Sequence, residues 1–367
     1  MFDRRLVAYF DWGLLGLTLI LATIGVLTIY SAVNAGGPTY QQNLYLKQLT
    51  WFGIGAVLMV VCFIFNYKRF DQYAVIIYFS CIGLLVSVLI FGKFVGGARR
   101  WLVIGPMSLQ PSELMKIALI IMLAHYFSRH LKKDGLTLRD LIQPMIIVLL
   151  PCALILKQPD LGTAMVLVLI AGSMTLFCGI GRRTLLLLVS AGAVSIPLAW
   201  SLLKNYQKQR ILTFLSPERD PLGTGYHIIQ SKIAIGSGGI SGKGYLEGTQ
   251  NALSFLPEQH TDFIFSVLAE EWGFMGAGLV VILFLLVLLW GLNIAHKCRD
   301  PFGILLVVGV GAIIFWEMFI NIGMVMGLMP VVGIPLPLIS YGGSSTLTIM
   351  IAIGLILNVS MRRFMFE

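Results

Sequence analysis

The stretch WGLLGLTLILATIGVLTIYSAV, Trp12 to Val33, carries no charged residue. About 20 apolar residues in helical form cross the hydrocarbon core of a bilayer, so this stretch is expected to span a membrane. No small-residue cleavage site follows it, and it reads as a retained helix rather than a removable signal. Working outward, comparable apolar runs lie at 47–65, 71–91, 112–128, 142–157, 160–178, 184–203, 263–293, 302–328 and 344–361; with the first, taken as 11–33, they make ten. The fourth is short and polar at its start. The fifth carries Pro144 and Pro151, which spanning helices tolerate when neighbours satisfy the freed carbonyls. The expected fold is all-α and polytopic, with about ten transmembrane helices in a single domain over residues 1–367, no internal repeat and no soluble domain.

Composition agrees with this reading. Of 367 residues, 57% are hydrophobic and 12% charged, against roughly 25% charged in soluble domains. A formal net charge of +9 raises the question of nucleic-acid binding, and the placement of the charges answers it. Ten spans put both termini on one side. Loops on that side hold fourteen basic residues: Arg4, Arg5, Lys68, Arg69, Arg129, Lys132, Lys133, Arg139, Arg182, Arg183, Lys297, Arg299, Arg362 and Arg363. The short loops opposite hold five, namely Lys47, Lys93, Arg99, Arg100 and Lys157. The positive-inside rule therefore places both termini in the cytoplasm and accounts for most of the net charge, so no nucleic-acid partner is expected. The cysteines, at 62, 81, 152, 178 and 298, lie in apolar runs or a short basic loop, and no disulfide framework is implied.

One long hydrophilic segment, 204–262, joins the seventh and eighth runs and faces the extracytoplasmic side. Segments of this length are usually functional or disordered. Tyr226-His227-Ile228-Ile229 and Leu253-Ser254-Phe255-Leu256 make this one too apolar for a plain linker, and short amphipathic helices at the interface are expected. Asp262 ends the segment. A carboxylate at the bilayer boundary beside Phe263 and Ile264 has the setting of a general base; equally, Thr261 or Asp262 would cap the following helix. Glu113 and Lys116, three apart, share one face of the fourth run; ionisable groups in spans usually face the bundle interior or a wet cavity, and the alternative is a first-turn Glu helped by the helix dipole with a local salt bridge. Asp160 opens the sixth run, where it either pairs with Lys116 or caps the helix. Glu270, Glu271 and Glu317 lie inside spans, where burial is expensive, and structural hydrogen bonding is the simplest expectation for them.

The cluster Gly236-Ser237-Gly238-Gly239-Ile240-Ser241-Gly242-Lys243-Gly244 suggests a nucleotide-phosphate loop and fails as one. Ser237 stands where the first glycine belongs, and Gly244 stands where a hydroxyl residue should follow Lys243. Its amides could still cradle a diphosphate, although a flexible turn is the simpler reading. Lys204, Lys208, Arg210, Lys232 and Lys243 together suit anionic headgroups or a diphosphate. No histidine or cysteine grouping has metal-ligand spacing, and His260 reads as a residue that orients the loop.

Several motifs in order along the chain resemble the SEDS (shape, elongation, division and sporulation) family. They are Arg100-Trp101, Gln110-Pro111-Ser112-Glu113, Gln158-Pro159-Asp160-Leu161-Gly162-Thr163, Asp220-Pro221-Leu222-Gly223-Thr224-Gly225-Tyr226-His227-Ile228-Ile229-Gln230-Ser231, Phe255-Leu256-Pro257-Glu258-Gln259-His260-Thr261-Asp262-Phe263-Ile264-Phe265, and Pro335-Leu336-Pro337-Leu338-Ile339-Ser340-Tyr341-Gly342-Gly343-Ser344. The stretch Tyr226 to Lys232 and Glu247-Gly248-Thr249-Gln250 look like its elongation (RodA) branch rather than its division (FtsW) branch. The resemblance implies a ten-helix protein of the bacterial inner (plasma) membrane that polymerises lipid II, the undecaprenyl-diphosphate disaccharide pentapeptide, into glycan strands. It implies that Asp262 is the essential acidic residue, that a divalent cation (Mg²⁺ or Mn²⁺) is required, and that a class B penicillin-binding protein is the partner. With the charged residues above, the candidate substrate contacts are Lys116, Glu113, Asp160, Arg210, Arg100, His260 and Glu258. Asp262 would take a proton from the acceptor hydroxyl, with Lys116, Arg210 or the cation steadying the diphosphate, and inversion is expected by analogy with inverting glycosidases. A lipid-precursor transporter and a non-catalytic scaffold for a transpeptidase stay open as alternatives.

Overall fold

The computed structural model describes residues 9–35, 43–95, 98–105, 107–131, 135–202, 208–209, 212–214, 216, 218, 224–253 and 259–363. In chain order come α1 (Trp12–Asn34), α2 (Leu44–Ile64), the short α3 (Tyr67–Gln72) and α4 (Ala74–Phe91). Three short strands follow, β1 (Lys93–Val95), β2 (Ala98–Ile104) and β3 (Met107–Leu109). Then come α5 (Pro111–His130), α6 (Leu138–Lys157), α7 (Leu161–Phe177), α8 (Arg182–Leu202), α9 (Thr224–Gly238), α10 (Thr249–Ala252), α11 (Ile264–Lys297), α12 (Pro301–Val325) and α13 (Gly343–Arg362). Among the described residues seven helices, α1, α2, α4, α6, α11, α12 and α13, are long and apolar enough to cross a membrane. α5, α7 and α8 stand where the other three apolar runs are; α5 carries Glu113 and Lys116, α7 has 17 residues, and α8 opens on Arg182-Arg183.

Many large apolar side chains face outward. Val57, Ile76, Phe79, Ile142 and Leu186 are each more than half exposed, a surface that water would not tolerate on this scale and lipid tails would. The centre is α13, buried almost throughout against α2, α5 and α12. Its polar side chains close the end of α2. The last carbonyls of a helix have no partner within it, and here Asn358 Nδ2 donates to Cys62 O and Phe65 O, both at 2.6 Å, while Arg362 donates to Phe63 O and Ile64 O at 3.0 Å each. Arg362→Met leaves two of those carbonyls unpaired and is expected to destabilise the chain by about 1–3 kcal/mol, read as a lower thermal unfolding midpoint in detergent.

Two features depart from the all-α expectation of simple spans. The strands form an antiparallel sheet in the order β1-β2-β3, with Lys93 opposite Trp101 and Leu102 opposite Leu109, so Arg100 sits on a strand between α4 and α5. The other is α11, whose 34 residues correspond to about 51 Å at 1.5 Å per residue, well beyond the roughly 30 Å core. It breaks at Gly273, where φ is 64° and ψ −164°. Segment 239–244 inserts there. Phe274 N donates to Gly239 O at 2.9 Å and Met275 N to Ile240 O at 3.1 Å, while Lys243 N and Gly244 N donate to Glu270 O and Glu271 O at 3.1 Å each. A Cβ at Gly242 or Gly273 would collide with the facing backbone, which only glycine avoids. The glycine cluster is therefore a wedge in α11 and not a flexible turn, and the Lys243 and Gly244 amides serve its carbonyls rather than a phosphate. α9 packs along α11 and is tied to the end of α12, Ser231 Oγ donating to Val325 O at 2.7 Å.

Candidate functional site

Several helices begin at one end of the bundle, here termed the upper end, and the first residues of α5, α7, α11 and α13 are bonded together there. Gln110, the cap residue of α5, donates its N–H to Ser344 Oγ on α13 at 2.9 Å and its amide to Asp160 Oδ2, before α7, at 3.1 Å. Tyr341 N, before α13, donates to His260 O, before α11, at 2.9 Å. Gly162 on α7 packs against the 332–334 backbone, where a Cβ would lie 2.8 Å from Val332 O. Helix N-termini present unpaired N–H groups and the positive end of the peptide dipole. Four of them around one region make a setting for an anionic group.

Asp262 stands in this setting, and its backbone is fixed from two sides. Asn321 Nδ2, on α12, donates to Asp262 O at 3.0 Å and to Ile334 O at 2.8 Å. Ser340 Oγ donates to Thr261 O at 2.7 Å and accepts from Leu336 N at 2.8 Å. Asp262 Oδ2 lies beside Gly333, whose φ is +74° and whose Cβ, if present, would be 3.3 Å from it. The N-cap position of α11 falls on Phe263, not on Thr261 or Asp262. The His260 ring lies against Tyr341, 5.9 Å between centroids.

Below this, Lys116 is matched twice. Its Nζ is 2.7 Å from Glu113 Oε2 and also pairs with Glu317 of α12; the three residues are 2%, 5% and 0% exposed. Asp160 is not the partner of Lys116, as one reading of the sequence had it. It caps α7, accepting from Thr163 N at 3.2 Å and Thr163 Oγ1 at 2.9 Å as well as from Gln110, because it precedes the helix by one residue while Lys116 points into the bundle. Glu317 and Asn321 are four apart and share one face of α12, so one helix face holds both the Lys116 cluster and the Asp262 carbonyl. Neither Glu317 as a partner of Lys116 nor Asn321 was singled out from the sequence. A carboxylate and an amide one turn apart in an otherwise apolar run were the available signal.

Arg100 donates Nε to Gln158 O at 3.1 Å and a second N–H to Pro159 O, which anchors a guanidinium beside Asp160. Arg210 and Glu258 lie outside the described residues. Glu270 and Glu271 are hydrogen bonded as expected, to the 243–250 segment and to Ser31 respectively. Among the described residues no group of three or more His, Cys, Asp or Glu gathers in one place. Asp160, Glu113 and Glu317 are each engaged by protein donors.

The family model described as "Cell cycle protein", FtsW/RodA/SpoVE, matches residues 12–364. The chain belongs to this family. The family's peptidoglycan glycosyltransferase MrdB of Escherichia coli (strain K12) is 42% identical over 356 residues, covering 95% of this chain and 94% of that protein. RodA of Treponema pallidum (strain Nichols), also called a peptidoglycan glycosyltransferase, is 38% identical and covers 98% of this chain and 99% of its own. Among solved structures, a chain from a peptidoglycan synthase complex that coordinates polymerization and crosslinking superposes with a TM-score of 0.83 at 34% identity, over 97% of this chain and 98% of that one. The crystal structure of the rod shape determining protein RodA of Thermus thermophilus gives 0.71 at 29% identity over the same shares.

Proposed function

We propose that the chain is a peptidoglycan glycosyltransferase of the bacterial inner membrane that polymerises lipid II into glycan strands during cell elongation, working beside a class B penicillin-binding protein. In this reading α5, α7 and α8 complete ten spans, both termini are cytoplasmic, and the upper end with residues 204–262 is extracytoplasmic. The observation that carries it is the meeting of Asp262 with four helix N-termini at that end. A carboxylate for the attacking hydroxyl and a field suited to a departing diphosphate are the two requirements of the reaction.

Asp262 would take the proton from the acceptor's 4-hydroxyl as that oxygen attacks the anomeric carbon of the donor. The bond to undecaprenyl diphosphate breaks, and the charge on the leaving group is steadied by the helix N-termini and the anchored Arg100. One carboxylate acting on the nucleophile, without a covalent intermediate, gives inversion. Lys116, held by Glu113 and Glu317, would fix α5 to α12 rather than meet the diphosphate. A divalent cation, Mg²⁺ or Mn²⁺, belongs to the proposal as a requirement of the reaction, with no ligand assigned to it at the Asp262 end.

Asn321 is a positioning residue in this account. Asn321→Leu keeps the branched shape, removes both N–H donors and is expected to lower turnover by about 10–100-fold, the scale of a displacement of about 1 Å at a reacting group, while lipid II affinity stays unchanged. The test of the function is glycan formation from labelled lipid II by the purified chain with its transpeptidase-inactivated partner. Long glycan is expected. Lipid II crossing a vesicle bilayer with no glycan formed would instead establish the transporter reading, and neither activity would leave the scaffold reading.

A further inference from the structure

Where α11 breaks, two consecutive glutamates are buried that the proposed reaction does not use. Glu270 is 0% exposed and Glu271 2%. Glu270 Oε1 is fully engaged, accepting from Lys243 Nζ at 2.6 Å, Gln250 N at 3.0 Å and Thr249 Oγ1 at 3.2 Å. Its other oxygen, Oε2, is buried with no hydrogen-bond partner. Glu271 accepts from Ser31 Oγ of α1, from the Leu246 N–H and from the Asn251 amide. Asn251, 2% exposed, donates Nδ2 to Ser31 O at 3.0 Å, and its Oδ1 likewise has no donor.

The two carboxylates converge on one spot. A Cβ on Gly248 would lie 3.1 Å from Glu270 Oε2 and 3.3 Å from Glu271 Oε1. Gly248 has φ −67° and ψ 110°, a conformation any L-residue adopts, so the backbone does not require glycine there. What the missing side chain provides is space between two carboxylates. Lys243 supplies one positive charge against two negative ones, and the oxygens left over are carboxylate and amide oxygens, the donor type of hard divalent cations. Buried oxygens of this kind without a donor are costly.

We propose that a divalent cation of the Mg²⁺ or Mn²⁺ class binds between Glu270 and Glu271, with Glu270 Oε2, the Glu271 carboxylate and Asn251 Oδ1 as protein ligands and water completing its shell. It fastens α10 and the segment before it to α1 and to the break in α11. This site is separate from Asp262, and it does not depend on the polymerase reading.

The probe is Mn²⁺, titrated into the purified full-length chain in detergent with free ion followed by electron paramagnetic resonance. Wild type and Asp262→Asn are expected to bind one equivalent that Gly248→Ala and Glu270→Gln bind at least 10-fold more weakly. Gly248→Ala guards against simple misfolding, since its φ suits alanine. Its metal-free unfolding midpoint should match the wild type, and only the wild-type midpoint should rise with Mn²⁺. No binding by wild type, wild-type binding by both Gly248→Ala and Glu270→Gln, or loss confined to Asp262→Asn would each overturn the assignment.

Discussion

Replacing Asp262 with asparagine is expected to lower the rate of glycan polymerisation by about 10²–10⁴-fold, the usual contribution of a general base. Asparagine keeps the volume beside Gly333 and leaves the backbone bonds from Asn321 and Ser340 in place, since those reach the Asp262 and Thr261 carbonyls and not the side chain. It removes the capacity to accept a proton. Asp262→Glu restores that capacity but moves it by one methylene toward a site already confined by Gly333, and misplacement on that scale is costly in rate. It should recover less than about a tenth of wild-type turnover. Both variants should elute as folded protein in detergent, and steady-state assays with labelled lipid II give the rates.

The second large effect is on stability. Lys116→Met leaves Glu113 and Glu317 facing each other, 5% and 0% exposed, without their shared cation. Removing one partner of a buried ion cluster costs about 3–5 kcal/mol, because the remaining charges are left unpaired. Lys116→Met is therefore expected to lower the unfolding midpoint sharply or abolish the yield of folded chain. Adding Glu317→Gln to it should return a substantial part of the loss, since one of the two unpaired charges is gone. A single variant as stable as the wild type would show that Lys116 is not the tie between α5 and α12.

What the sequence disclosed follows the range of the forces involved. Charge-free runs such as Trp12 to Val33 dictate helices locally, and each apolar run between 11 and 361 coincides with a helix. Hydropathy misses ends that a cap sets: Thr137 and Asp140 form a capping box that starts α6 at Leu138, four residues before the apolar run begins, although Asp140 reads from the sequence as a solvated loop charge. The sheet was not foreseen, because hydropathy reads residues 93–109 only as a short connection between two spans and does not weigh strand pairing. Lys116 and Glu317 are 201 residues apart, and no periodicity links them; packing of α5 on α12 does. The glycine wedge was hidden for a similar reason, because its partner is backbone in another helix. Asp262 draws attention through the boundary at which it sits and through the motif around it, whereas the helix N-termini at that end became visible only once α5, α7, α11 and α13 were assembled.

The most direct test of the central claim measures binding and turnover on the same preparation of Asp262→Asn, purified with its transpeptidase partner and given fluorescent lipid II. The account predicts lipid II binding equal to the wild type and no long glycan, because the carboxylate acts on the attacking hydroxyl and not on the bound lipid. Glycan formed at the wild-type rate would contradict it and remove Asp262 from the chemistry.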